Sequence, residues 1–445
     1  MPLPWQTPYS ASISNPRSLP KFEAWYDMKD AGARITATGV QLLADKSGNS
    51  GVNVLALNGV AGNYASAPDA APLDITGPID MVARAAAVDW TSGAVQVIMS
   101  KAHVAGNYSY QMDIGTTGTI RFVYSPDGTT LRIATSSSVA PFTDLAAYWM
   151  RATYNSATGD VNFYYAADQS AVPTSWTQLG TTQVLTAGTI FSGNNILEIG
   201  TAAGGTANRF TGLIYRAQIY NGIAGTLAFD ANFATAAKLA TSFTESSSNA
   251  ATVTINTTGD LGARICGARD LVQMTGTKQP TISGGGALFD GTDDYMKAAA
   301  FSLAQPTTVY FVGQQVTWTI NDRFFDGGDN NTMLLYQATT TPNIRPYSTG
   351  GDVATNVGTW ALGTNAIVTN IYSTTLGATR INRATAQAQT LSSSTPNGFT
   401  LGASVTGSAP SNMNVLGVLI YSAAHDTATQ NRVIKYLSQY YGIAV

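Results

Sequence analysis

Charge is what this sequence has least of. Only 11% of its 445 residues are Asp, Glu, Lys or Arg, against about a quarter in an ordinary globular chain. Glutamate is almost missing, with Glu23, Glu198 and Glu245 the full set. The aspartates stand mostly beside Gly, Asn or Thr, which is turn usage: a short carboxylate accepts hydrogen bonds from its own backbone. With a net charge of −3 and no basic run, the chain lacks the electrostatic footprint of a nucleic-acid or anionic-membrane binder. The single cysteine, Cys266, excludes an intrachain disulfide. The two histidines, His103 and His425, fall in different halves, which argues against a Ser-His-Asp site within one domain. Each is expected in a loop or at the surface. No run reaches the roughly 20 apolar residues that cross a bilayer. Residues 1–20 carry neither the cationic start nor the apolar run of a secretory signal. The chain is therefore expected in a cytoplasm or in a particle assembled there.

With 44% hydrophobic residues the chain is globular. Its surface must be built largely from Ser, Thr, Asn, Gln, Gly and Ala. So few surface charges do little to oppose association and suit burial in an assembly. Thr, Val, Ile, Tyr and Phe are common and helix formers scarce, so the chain reads as mostly β.

It also says the same thing twice. Ala56-Leu57-Asn58-Gly59, followed by Tyr64, is echoed by Leu288-Phe289-Asp290-Gly291, followed by Tyr295. Ile199-Gly200 leads to Gly212-Leu213-Ile214-Tyr215, as Leu401-Gly402 leads to Gly417-Val418-Leu419-Ile420-Tyr421. Two β-domains of one kind are expected in tandem, over 21–240 and 253–445, with the polar stretch 241–252 as linker. Residues 1–20, with five prolines, read as an extended arm. Leu3, Trp5 and Tyr9 would anchor it to a neighbour.

Within the first domain, short strand signals are cut by turns. Gly115-Thr116-Thr117-Gly118 and Asn155–Asp160 each predict a hairpin. Ser125-Pro126-Asp127-Gly128 is a turn. Strands of this length and spacing indicate a sandwich. The chain closes on one helix, expected over 428–441. Its start is the capping-box form Thr427-Ala428-Thr429-Gln430, its apolar face Val433, Ile434 and Leu437, and its stop Gly442.

At Leu288–Tyr295, Leu197-Glu198-Ile199-Gly200, Thr400-Leu401-Gly402 and the two closing strands, the chain resembles the laminin-G-like, concanavalin A-like jelly-roll superfamily. Ala24-Trp25-Tyr26-Asp27 and Tyr148–Ala152 are similar to such modules in tailed-bacteriophage structural proteins. The ending Asn431–Ile443 is similar to the helix that closes many of these domains. The resemblance implies an all-β fold: two tandem jelly-roll sandwiches with an extended N-terminal arm and a short C-terminal helix. It also implies a non-enzymatic virion role, as head decoration, head fibre or tail fibre. The partners would then be other virion subunits and further copies of the chain in a homo-oligomer. The alternative is a lectin-like module for host surface glycans.

Laminarinase-like relatives of the fold carry a Glu-x-Asp-x-x-Glu strand. Glu198 is followed by Ile199, Gly200 and Thr201, so that motif is absent. No second carboxylate is arranged for glycoside hydrolysis, and no cofactor is required. Calcium is the cation that two acidic turns suit: Asp290, Asp293 and Asp294, and, as the better candidate, Asp326, Asp329 and Asn330 in a Gly-rich bend. A glycan platform needs an aromatic face beside polar groups. Trp90, Trp318 and Trp360, next to polar or Gly-containing loops, are the candidates, with core or rim packing as their ordinary alternative.

Overall fold

A computed structural model of the chain describes residues 13, 15–36, 39–102, 104, 106–340, 342–349 and 357–445. It divides into two compact units. One is the continuous stretch Val52–Ala268; the other is made of Met1–Gly51 and Arg269–Val445. The first, here the inserted unit, thus interrupts the sequence of the second, the outer unit.

Alternation of side chains shapes the inserted unit. Along strand Ile79–Ala87, Ile79, Met81, Ala83, Ala85 and Ala87 enter the core, leaving Asp80, Val82 and Arg84 on the opposite face, as a period of two requires. Its sheet runs in the order Thr177–Gln178, Asp160–Ala167, Tyr148–Tyr154, Ile79–Ala87, Thr211–Asn221, Asn53–Asn58, Arg264–Gly267. Strand Thr226–Asn232 pairs with the last half of Thr211–Asn221. The facing sheet runs Arg132–Thr135, Ile120–Tyr124, Tyr110–Ile114, Gln96–Ser100, Leu197–Ile199, Tyr64–Ala67, Thr252–Asn256, Ser242–Thr244. Both expected hairpins are present, with antiparallel ladders. The outer unit repeats this plan with two antiparallel sheets of eight and nine strands. The all-β double jelly roll expected from sequence is the architecture observed.

The division of the chain differs from the expected one. Strand Phe22–Asp27, assigned by sequence to the first domain, pairs with Asn412–Tyr421 near the C-terminus, Trp25 opposite Leu419 and Asp27 opposite Gly417. The expected linker 241–252 holds strand Ser242–Thr244, and Thr252–Asn256, expected to open the second domain, pairs with Tyr64–Ala67. The physical reason is burial. Strand Phe22–Asp27 hides Tyr26 in one core and Trp25 in a second cluster, so it must lie inside a two-sided layer, which its neighbours in sequence do not provide.

A second repeat becomes visible here. In the outer unit, Asp45 accepts the Trp25 amide at 2.8 Å and the Ser47 amide and hydroxyl at 2.9 and 2.6 Å; Ser47 and Asn49 donate to the Glu23 carbonyl. In the inserted unit, Glu245 accepts the Asp230 amide at 2.9 Å and the Ser247 amide and hydroxyl at 2.6 Å each; Ser247 and Asn249 donate to the Ala228 carbonyl. Acid-x-Ser-x-Asn clamps the same strand in both units. In the outer unit this strand and turn open the sandwich; in the inserted unit they come near its end, followed by strands Thr252–Asn256 and Arg264–Gly267. The two copies are related by circular permutation, which sandwiches with adjacent chain ends tolerate.

The closing helix Thr427–Tyr441 is capped by Asp426, whose side chain accepts the Thr429 amide at 2.7 Å, and stops at Gly442 with φ 72°. The cap stands one residue before the expected Thr427. Val433, Ile434 and Leu437 pack on Trp25, Tyr310 and Leu419. His425 is buried beside them, Nδ1 2.8 Å from the Tyr310 hydroxyl, rather than at the surface. Burial pushes its pKa down to about 4, so it is neutral at physiological pH. His103 lies outside the described residues.

Candidate functional site

The same sheet face is treated in opposite ways by the two units. Both long closing strands carry a bulge at the same place, Leu416 in the outer unit and Tyr215 in the inserted one. Aligned on it, Val312 corresponds to Arg84, Leu416 to Tyr215, Gly417 to Arg216 and Leu419 to Gln218. In the outer unit this face is apolar and covered by the helix. The fit is close: a Cβ at Gly417 would stand 2.1 Å from the Tyr441 hydroxyl. In the inserted unit an arginine occupies that position, and the face is polar.

That polar face is ordered by three arginine–aspartate pairs. Arg151 donates through Nε and Nη2 to Asp80 at 2.9 and 2.7 Å. Arg216 reaches Asp230 at 2.7 and 2.6 Å, and Arg84 reaches Asp168 at 2.6 and 3.1 Å. Such two-point pairs fix both planes. Burial pulls the Arg151 guanidinium down, but the hydrogen-bonded Asp80 more than offsets it and leaves its pKa raised. Aromatic rings complete the order. Arg151 lies 5.4 Å from the Tyr164 ring centroid and 5.7 Å from that of Trp176; Arg84 lies 4.3 Å from that of Tyr215. The loop that brings Trp176 over the sheet is tied down by the Trp149 indole, which donates to the Gln169 carbonyl at 2.9 Å. Asp80, Arg151, Pro173, Thr174, Trp176 and Tyr220 line a cavity of about 350 Å³.

Sequence reasoning missed this group. Its one local signal is Trp176 in the polar run Pro173-Thr174-Ser175, and its partners come from register. The tryptophans it singled out lie elsewhere. Trp90 is buried among Phe142, Tyr148 and Phe210, and Trp360 against Phe311 and Phe324. Neither offers a ring face to a ligand, because both complete aromatic clusters in the cores. Trp318 packs against the outer unit's core and donates to the Thr339 carbonyl.

The favoured acidic turn already holds a cation of the chain itself. Arg323 donates to Asp326 at 2.6 Å and to Asn330 at 2.8 Å, while Asp329 accepts the Asn397 amide at 3.3 Å. Asp326 is spent on Arg323 and the amides of Gly327 and Asn331. Among the described residues, the acidic side chains that converge are those of Asp290, Asp293 and Asp294, whose oxygens lie within 4.8 Å of one another. Burial, with the neighbouring carboxylates adding to it, pushes Asp294 up to about 6. This donor set could hold a hard cation, although Asp290 also accepts the Thr292 amide at 2.7 Å, as an ordinary turn would.

The glutamates are structural. Glu245 holds its turn, Glu23 binds Arg269 and Ser422, and buried Glu198 accepts the Gly205 amide at 3.1 Å. The anchors Leu3, Trp5 and Tyr9 lie outside the described residues. No helix among the described residues is long and apolar enough to cross a membrane.

No family model and no curated protein matches this sequence. Among solved structures, the chain is similar to the CBM40 of a Ruminococcus gnavus IT-sialidase bound to α2,3-sialyllactose, with 13% identity over 37% of this chain and 90% of that one, and a TM-score of 0.29. It is similar to domains LG4-5 of the mouse laminin α1 chain, with 11% identity over 85% and 92% and a TM-score of 0.30. A heptameric pentraxin from Limulus polyphemus gives 10% over 38% and 76%, with a TM-score of 0.28. At these identities and scores the likeness carries no argument about ligand or assembly.

Proposed function

We propose that this is a non-catalytic carbohydrate-binding protein whose inserted unit carries the recognition face. The observation that supports this reading is the cavity of about 350 Å³ in which Trp176 and Tyr220 stand beside the Asp80–Arg151 pair. A sugar ring offers an apolar face for an aromatic side chain and hydroxyls for a fixed donor–acceptor pair. The test is Trp176→Ala on a glycan array. Trp176 is half-buried in a loop, so the expected outcome is a loss of glycan binding of at least tenfold with an unchanged melting temperature. Binding that survives the substitution would contradict the site.

A second reading is a virion protein, a head decoration or a head or tail fibre, docked by the arm 1–20. It is favoured by the low charge and by Ile13 and Leu19, in the second half of that arm, which pack against the outer unit's helix-side cluster. Deleting residues 1–12 would then convert an oligomer to a monomer in size-exclusion chromatography. An oligomer that withstands the deletion would count against docking by Leu3, Trp5 and Tyr9.

A further inference from the structure

We infer that the ligand of this face is a neutral oligosaccharide of about three to four sugar rings lying along the strands, which rests on the carbohydrate-binding reading above and makes it specific. The first ground is a second cavity. Arg84, Trp149, Ser170, Tyr215, Arg216 and Asn232 line a space of about 160 Å³ on the same face. Asp80 in the first cavity and Arg84 in the second sit four residues apart on one strand, which at the rise of an extended chain separates the cavities by about 13 Å. One pyranose ring is too short to occupy both; a short chain of them is not. Between the cavities, at the register between Arg216 and Tyr220, stands Gln218. It is 2% exposed, so it forms a closed floor between the two cavities rather than a third pocket.

The second ground is charge. Each arginine lining the two cavities is paired with one aspartate through both oxygens, so the cavities carry no surplus cation for a carboxylate or sulfate. At Arg151 or Arg216 an acidic sugar would have to displace Asp80 or Asp230, each 2% exposed, and stranding a buried carboxylate is strongly unfavourable; at Arg84 it would have to compete with Asp168, which is 46% exposed but held through two hydrogen bonds. The paired groups still read hydroxyls. Each guanidinium spends two of its five N–H groups on its aspartate, and the carboxylates keep lone pairs for hydroxyl donors.

The test uses the full chain on an array of neutral gluco-, galacto-, manno- and N-acetylglucosamine oligosaccharides of graded length, printed beside sialylated and sulfated counterparts. The expected result is neutral binding that rises at least tenfold between one ring and four, with acidic counterparts no stronger and little dependence on salt. Tyr215→Ala should weaken tetrasaccharide binding at least fivefold and leave disaccharide binding unchanged, whereas Trp176→Ala weakens both. If Tyr215→Ala does not fold, Ser170→Phe, which fills the second cavity from a loop, serves instead. Preference for the acidic glycans, or affinity independent of length, overturns this inference and leaves the carbohydrate-binding reading standing. No binding to any glycan overturns both.

Discussion

Residues 52–268, produced alone, will fold to a cooperative, monomeric sandwich, and the remaining chain will fold too when Gly51 is joined to Arg269 through a short Gly-Ser linker. The inserted unit owns its whole core: residues from Leu55 to Ile265 form one buried cluster, and both of its terminal strands, Asn53–Asn58 and Arg264–Gly267, pair with each other. A unit whose first and last strands are neighbours loses no pairing when cut out. The outer unit is equally prepared for the join. Asp270 accepts the Asp45 amide at 3.0 Å and the Ser50 hydroxyl at 3.3 Å, and Tyr26 donates to the Arg269 carbonyl at 2.8 Å. The chain therefore leaves and re-enters that unit at adjacent points, and a short linker adds little closure entropy. Circular dichroism in the near ultraviolet and differential scanning calorimetry check this. One sharp transition for each piece is expected; a piece with strand signal but no fixed aromatic signal would contradict the division.

The acid turns should be the most sensitive single positions, each in its own unit. Asp45→Ala leaves the amides of buried Trp25 and of Ser47 without an acceptor. Glu245→Ala does the same to Asp230, Ser247 and Ala251. An orphaned buried donor costs about 1–3 kcal/mol, so each substitution removes about 3 kcal/mol or more of a stability of roughly 5–15 kcal/mol. For units of this size that corresponds to a fall of roughly 6–12 °C in the unfolding midpoint. Calorimetry should show Glu245→Ala lowering the transition of the inserted unit and Asp45→Ala that of the outer unit. Equal effects of both substitutions on both transitions would mean that the two turns are not independent copies.

Legibility in the sequence followed the range of the interactions. The hairpins about Gly115–Gly118 and Asn155–Asp160 could be read because the turn residues and both strands are contiguous. The helix could be read because Val433, Ile434 and Leu437 repeat at helical spacing. The placement of Phe22–Asp27 could not, because its partner strand lies at the other end of the chain and is reached only across the inserted unit. The acid turns escaped notice because one copy uses Asp45 with Lys and Gly between its fixed positions and the other Glu245 with Ser and Ser. Only Ser47 and Asn49, matching Ser247 and Asn249, are shared. The tryptophans show the same limit at the site. Polar neighbours in sequence left Trp90 and Trp360 open between a glycan platform and core packing, because the direction of a side chain in a sandwich is set by register. Register likewise gathers Asp80, Arg151, Tyr220 and Trp176 from four separate segments.

The central claim is that the polar face of the inserted unit, and no other surface, takes the glycan. Hydrogen-exchange mass spectrometry on the full chain, with and without the best-binding neutral tetrasaccharide, tests it most directly. The account predicts slower exchange in the loop 168–176 and in the peptide covering 211–221, with the outer unit unchanged. Protection confined to the Asp290–Asp294 turn, or to the opposite sheet around 110–135, would contradict it.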